Sequence, residues 1–399
     1  MRKVSKAKLL DKVSAKLVKP EWAERVVSPA YDMLRATERE KLMDEDPYVF
    51  LHVTSAKSSL PVESRTAANN EALKRLFDAG AYSQTLNSAL YLYRLTYEGH
   101  RQTAIVGDIS VEAFEDGRVI PHERTREFRA NDLANHLENI GIHSSPVALA
   151  YDGDEAVNAL IQEAMQTEPI LDFCREDNLE QTIWRVPDQI ADKLLILFQN
   201  KATFIVDGHH RMNASHTVWD RSGRTERFSK ILGALFSADE LKIRSFHRHV
   251  SDLNNLTPKS LTTRIAEMDF HIEPVKNTEG HEPEYAGQFS MFLDGSWYKL
   301  SPQRIHPSEL DAVILQKRIL HPILEVDEEG SDGRLQYLPG TIPLGYIESI
   351  TQSEGGVAFA LHPVSMDQLQ AIIKRKKTLP PKSTYFEPKV RSGIFIINR

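Results

Sequence analysis

The sequence predicts an α+β fold with a mixed sheet, and three observations lead there. Short apolar runs of strand length recur at residues 103–109, 146–151, 203–206 and 231–236. Between them lie longer segments with apolar positions at helical spacing, as at Ala67, Ala68, Ala72, Leu73, Leu76 and Phe77. The first strands also form a hairpin instead of alternating with helices: 89–97 and 103–109 flank a Glu98-Gly99-His100-Arg101 turn. Consecutive strands followed by strand–helix alternation point to a mixed sheet with helices packed on it.

Taken in order, residues 1–26 read as one helix entering an extended Val26-Val27. Its start, MRKVSKAKLLDKVSAKLV, is basic and mildly amphipathic and lacks the continuous apolar region of a secretory signal. A surface helix is expected, with a short transit-like segment as the alternative. Ser28-Pro29 ends regular structure, and Tyr31-Asp32 fall in the loop beyond. A polar helix opens at 36–40 with Thr37 as a cap, and Asp46-Pro47-Tyr48 stops it. Residues 49–53 look like a buried strand, and 64–80 a helix ended by Gly80.

After the hairpin come a loop at 119–125, a helix at 129–141, a strand at 146–151 and a helix at 153–167. A short strand at 182–186 and a helix at 187–200 lead to the strand at 203–206. Another buried strand covers 231–236, and 241–249 alternates toward Phe246-His247-Arg248. Turn-rich residues 251–258 suggest a linker. Beyond it, helices (259–268, 307–320, 365–376) mix with strands (289–299, 342–349, 356–361). The expected division is an N-terminal helical and extended segment, 1–84, packed on a core, 85–255, and a C-terminal α+β lobe, 256–399.

At 399 residues the chain can bury one large or two ordinary cores. A net charge of −7 gives no overall basic field to draw nucleic acid or anionic lipid. The cluster Lys374-Arg375-Lys376-Lys377 is accounted for by a helix end and solvent. One cysteine, Cys174, excludes a disulfide framework and a cysteine zinc site, and it reads as a partly buried small residue. No apolar run approaches a membrane span, so a cytoplasmic location is expected. There is no P-loop, no Rossmann glycine fingerprint and no protein-kinase signature.

The chemistry concentrates at 203–215. Phe204-Ile205-Val206 runs into Asp207-Gly208, and a helix-compatible segment follows from about His210. Such a junction aims backbone N–H groups and the positive end of a helix dipole at one spot. Gly208 lets the chain turn sharply and lets an anion approach, while His209, His210 and Arg211 offer donors to phosphate oxygens. The plainer reading makes Asp207 a helix cap and the histidines surface polarity. Adjacent histidines diverge, so His209 and His210 do not suggest a shared metal.

The string Asp207-Gly208-His209-His210-Arg211 resembles the D-G-H-H-R motif of the ParB-like superfamily, which includes partitioning proteins, sulfiredoxins and free-serine kinases. Within it, the chain is similar to the family named domain of unknown function 1015. Val27-Ser28-Pro29-Ala30-Tyr31-Asp32 is similar to the family's P-P-Y-D, with Ala30 in place of a proline. Gly117-Arg118-Val119-Ile120-Pro121-His122-Glu123-Arg124-Thr125 is similar to its G-x-V-x-P-H-E-R-T, and 379–389 to its P-P-K-S-T-Y-F-x-P-K. Sulfiredoxin chemistry is not implied, because His209 stands where that motif has its cysteine.

The resemblance implies a ParB/sulfiredoxin-like core and a kinase for a small hydroxyl-bearing metabolite, such as free L-serine, using ATP or ADP with Mg2+. Asp207, Gly208, His209, His210 and Arg211 would hold the nucleotide phosphates, with His247 and Arg248 joining them, and Asp207, His209, His210 and Arg211 would act in catalysis by stabilising charge on the transferring group. Glu123, between cation-capable neighbours that keep it ionised, would take the hydroxyl proton. Tyr31, Asp32, His122, Arg124, Thr125, Lys382, Ser383 and Thr384 would contact the substrate, and Asp32 and Glu123 would be offered to magnesium. Each has a plainer reading: a solvated ion pair for Glu123, a turn for Asp32, a surface for His247 and Arg248, a structural latch for 382–384. Two other functions stand beside the kinase, a nucleotide-binding regulatory module engaging DNA and a phosphatase using the same anion site.

Overall fold

Gly107 marks a crowded point of the first sheet, where the chain at Leu10-Asp11 and at Leu90 closes on it. In the computed structural model, which describes residues 7–29, 34–55, 60–123, 125, 127–275, 282–304, 309–327, 332–375, 377–380 and 382–399, the chain forms two units. The first comprises Met1–Leu241 and Pro388–Arg399, the second Lys242–Glu387. The architecture is α+β.

In the first unit the described strands are β1 (Leu10–Asp11), β2 (Lys16–Leu17), β3 (Tyr91–Tyr97), β4 (His100–Ser110), β5 (Val119–Ile120), β6 (Ile142–His143), β7 (Val147–Tyr151), β8 (Leu171–Cys174), β9 (Glu180–Arg185), β10 (Thr203–Asp207) and β11 (Lys230–Ser237), together with the C-terminal strand Phe395–Asn398. The main sheet has the order β5-β10-β7-β11-β4-β3-β9-β8, with β1 also on β4. It is mixed: β5 and β10 run parallel, as do β7 and β11, and the other pairs are antiparallel. β4 sits centrally and is buried from Gln102 to Ser110, so neither of its faces meets solvent there. Helices Glu155–Ala164 and Asp188–Phe198 bury Val157, Ile161, Leu194 and Phe198 in the same core as Leu149, Ile205 and Leu235. β2 and β6 flank the C-terminal strand Phe395–Asn398 in a separate three-stranded sheet.

The second unit carries β12 (Lys242–Arg244), β13 (Phe246–Val250), β14 (Phe270–Pro274), β15 (Phe289–Leu293), β16 (Ser296–Pro302), β17 (Leu335–Pro339), β18 (Val357–Leu361) and β19 (Tyr385–Glu387). Six of these form an antiparallel sheet, β14-β16-β15-β18-β13-β17, while β12 pairs β19. Helix Pro258–Glu267 buries Leu261 and Ile265 in a core shared with Phe289 and Phe359. Among the described residues no helix is long and apolar enough to cross a membrane.

Several sequence expectations need correction. Residues 1–26 are not one helix: β1 and β2 precede the short helix Pro20–Val26. Leu9, Leu10, Val13, Ala15, Leu17 and Val18 are all buried, too many faces for an amphipathic helix, and proline is at ease only in a first turn. Residues 49–53 form no strand but lead into a helical turn, Leu51–Thr54, since a five-residue apolar run has no diagnostic period. Thr37 is not a cap; the helix Ala36–Glu45 begins ahead of it, and the Glu38 carboxylate accepts the Arg35 N–H at 2.8 Å. Residues 342–349 lie largely in the helix Leu344–Glu354, whose buried Leu344, Ile347 and Thr351 keep helical spacing. Cys174 is exposed, because alternation along β8 turns it away from buried Leu171 and Phe173. The chain passes between the two units at 241/242 and 387/388.

The first 84 residues join the core unit through β1, which pairs Leu10 with Ile109 and Asp11 with Asp108. A Cβ on Gly107 would sit 2.7 Å from the Asp11 carbonyl oxygen and 2.7 Å from a Leu90 methyl. Gly107→Ala should therefore lower stability by about 1–3 kcal/mol through overpacking. A urea-unfolding midpoint equal to wild type would contradict this account of how the N-terminal strand docks.

Candidate functional site

The site grows from the end of β10. Phe204, Ile205 and Val206 are buried, and Asp207 closes the strand. Gly208 then adopts φ 96°, ψ 26°, a left-handed conformation that glycine takes without strain. Its missing side chain matters as well, since a Cβ would lie 3.0–3.1 Å from the Arg211 guanidinium. The helix His209–Arg221 starts with no side-chain cap and no acidic residue in its first turn. The first bond back to the turn runs from Met212 N–H to Gly208 O at 3.0 Å. The amides of His209, His210 and Arg211 precede it, at the positive end of the helix dipole.

Asp207 is the counter-ion of this turn. One carboxylate oxygen accepts from Arg211 Nη2 at 2.5 Å, the other from Lys389 Nζ at 2.5 Å. Arg211 Nη1 also donates to the Pro146 carbonyl at 2.5 Å. The three charged side chains are 13% (Asp207), 17% (Arg211) and 9% (Lys389) exposed, so solvent screens them only partly. Two cations on one carboxylate sum to one positive charge, and the helix terminus adds to it. An anion is favoured at this end of the helix by both terms.

The parallel pairing of Thr203 with Val119 and Phe204 with Ile120 sends the loop after β5 out of the same sheet edge as Asp207-Gly208. That brings His122 against His209, with ring centroids 4.6 Å apart and planes at 87°. The His122 N–H points to His209 Nε2 at 3.4 Å. Burial lowers the His122 imidazole to about 4, and burial together with His122 holds His209 well below the usual histidine range. Both rings are neutral at pH 7, so the charge here comes from Arg211 and Lys389. The sequence view of His209 as a side-chain phosphate donor is thereby revised: its ring is packed inside, and its backbone N–H is what the helix end presents. Glu123 follows His122 in the chain and is half-buried, and Asn213 Nδ2 donates to Thr125 Oγ1, tying the loop to the helix.

Of the other residues singled out, Tyr31, Asp32 and Arg124 lie outside the described residues. His247, Arg248, Lys382, Ser383 and Thr384 belong to the second unit. There His247 Nδ1 accepts the Leu361 N–H at 3.2 Å, with its pKa lowered to about 4 by burial. Arg248 donates to the Phe246 and Lys382 carbonyls at 2.8 and 3.0 Å and lies 4.4 Å from the Tyr337 ring centre. Ser383 donates to Pro380 O at 2.8 Å, and the Lys382 ammonium stands 5.0 Å above Phe246. These contacts fasten the 382–384 turn to β13. Among the described residues no group of three or more His, Cys, Asp or Glu side chains is arranged to hold a metal. Lys389 is the residue that sequence reasoning missed. Its signal was present, as the last position of the P-P-K-S-T-Y-F-E-P-K stretch.

The chain belongs to the family described as "Protein of unknown function (DUF1015)", whose model matches residues 13–321. No curated protein matches it in sequence. Among solved structures it is similar to a free serine kinase mutant in complex with AMP, at 14% identity, TM-score 0.38, covering 70% of this chain and 87% of that one. A conserved hypothetical protein from Pyrococcus furiosus gives 12% identity and TM-score 0.39, covering 74% and 94%. C-terminally truncated SbnI from Staphylococcus aureus gives 11% and 0.39, covering 71% and 84%.

The buried histidines set an acid limit. A histidine whose pKa is lowered in the folded state binds protons better when unfolded, so stability falls as pH drops below the unfolded value near 6.5. For His122 the loss continues to about pH 4 and amounts to about 3 kcal/mol. His122→Gln should flatten the fall in urea midpoint between pH 6.5 and 4. An unchanged pH profile in that variant would show that His122 is not the buried neutral group inferred.

Proposed function

We propose that this protein is a nucleotide-dependent kinase that phosphorylates a hydroxyl of a small metabolite, a free amino acid such as L-serine being the leading candidate. The observation that carries the reading is the uncapped helix start at Gly208 with Arg211 and Lys389 sharing Asp207. The donor set suits the terminal phosphates of a nucleotide: consecutive amides, a guanidinium and an ammonium. The resemblance of Asp207–Arg211 to the D-G-H-H-R motif supports the same reading.

ATP or ADP would supply the phosphoryl group. The backbone amides after Gly208, with Arg211 and Lys389, bind the phosphates and offset charge that grows on the transferring group. Asp207 positions the two cations, and the neutral His122–His209 pair holds the β5 loop against the helix. Glu123 accepts the substrate hydroxyl proton as the new oxygen–phosphorus bond forms and the bond to the departing nucleotide breaks. Thr125, His210, Tyr31, Asp32 and Arg124 are left to orient the substrate, and Asp32 with Glu123 are the carboxylates offered to magnesium.

Incubation with ATP or ADP, magnesium and an amino-acid panel should yield a phosphorylated amino acid, and calorimetry should detect ADP binding. Lys389→Met should weaken ADP by about tenfold or more, the worth of a hydrogen bond to a charged group. No product and no nucleotide binding would defeat the proposal. Phosphate release from phosphoserine without nucleotide would replace the kinase with a phosphatase.

A further inference from the structure

We propose that Phe128 is the stacking platform for the base of the nucleotide, an inference that rests on the kinase reading above. Phe128 is 76% exposed, more than any other large apolar side chain among the described residues. It occupies the second position of the helix Glu127–Ile140, directly after the loop that carries His122 and Glu123. Among the described residues its exposed neighbours on that helix are Glu127, Asn131, Asp132 and Asn135. One ring standing alone among polar residues does not make the contiguous apolar patch that a protein partner covers. A single flat ligand is the occupant this inference assigns to it.

The position follows from how two helices lie together. Thr125 bonds Asn213 at one end, and Arg221 bonds Asn131 and Asn135 at 3.0 Å and Glu138 at 3.4 Å at the other. Helices Glu127–Ile140 and His209–Arg221 therefore run parallel, with both N-termini toward the same end. Ala134, Ala214 and Val218 pack in the seam between them. Asn213 lies five residues beyond Gly208, about 7–8 Å along the axis. Helical side chains lean toward the N-terminus, so the Phe128 ring tilts back toward the end that presents the His209–Arg211 amides. In this arrangement the phosphates sit at Gly208, the base lies on Phe128 and the sugar bridges the two. A base laid on the ring would cover apolar surface now in water and gain π contact, whichever base it is.

The test compares ADP with pyrophosphate, which shares the phosphates and lacks the base, by calorimetry on the full chain. Wild type should bind ADP more tightly than pyrophosphate. Phe128→Ala should weaken ADP roughly ten- to hundredfold, the range of base–aromatic stacking, and leave pyrophosphate unchanged. Phe128→Trp should retain ADP and show indole quenching on binding. The side chain is exposed, so these substitutions leave the core intact, and equal melting temperatures of the variants check this. ADP binding unaffected in Phe128→Ala overturns the platform while leaving the kinase proposal standing. Pyrophosphate binding as tightly as ADP in wild type also overturns it. Failure of both ligands to bind wild type brings down the anion site itself, and this inference with it.

Discussion

The carboxylate of Asp207 is the point on which the first unit's organisation turns. It joins the end of β10, the first turn of the following helix through Arg211, and the C-terminal segment through Lys389. Partly buried charges persist only when paired, and removal of one partner leaves the others desolvated without compensation. Arg211 is doubly held, by Asp207 and by the Pro146 carbonyl ahead of β7. The guanidinium occupies the space that a side chain at position 208 would need. Glycine is thus required twice, for the left-handed turn and for the room.

The charge arrangement and the histidine packing divide the work. His122 and His209 are both buried and stay neutral, so they pack the junction without adding charge. Arg211 and Lys389 supply the charge, and the helix supplies directed amides. Under the proposed reading, a neutral support behind a positive rim suits preorganised binding of a polyanion, because little is left to reorder on binding. The second unit uses the same residue types differently. In β13, His247 and Arg248 are spent on backbone carbonyls and amides and on Tyr337.

Much of the site was legible because its signals are local. A strand-length apolar run, an Asp-Gly break and a cluster of basic side chains announce a strand–turn–helix junction without any long-range information. The strands of the hairpin and the helices at 64–80 and 187–200 were readable for the same reason. Residues 49–53 and 342–349 misled because short apolar runs carry no period, and burial against neighbours decided their form. The N-terminal strands were hidden because β1 exists only by pairing with β4.

The sequence by itself determined the α+β class, the glycine turn at 208 and the chemical character of the residues around it, all properties of contiguous chain. Only the tertiary structure decided that Lys389 would share Asp207 across 182 positions, that His122 would meet His209 edge-on, and that burial would disfavour a positive charge on either ring. Those outcomes depend on the parallel pairing of β5 with β10 and on the return of the last segment to the first unit. Pairing partners and desolvation are set by the packing of distant segments, and no local pattern encodes them.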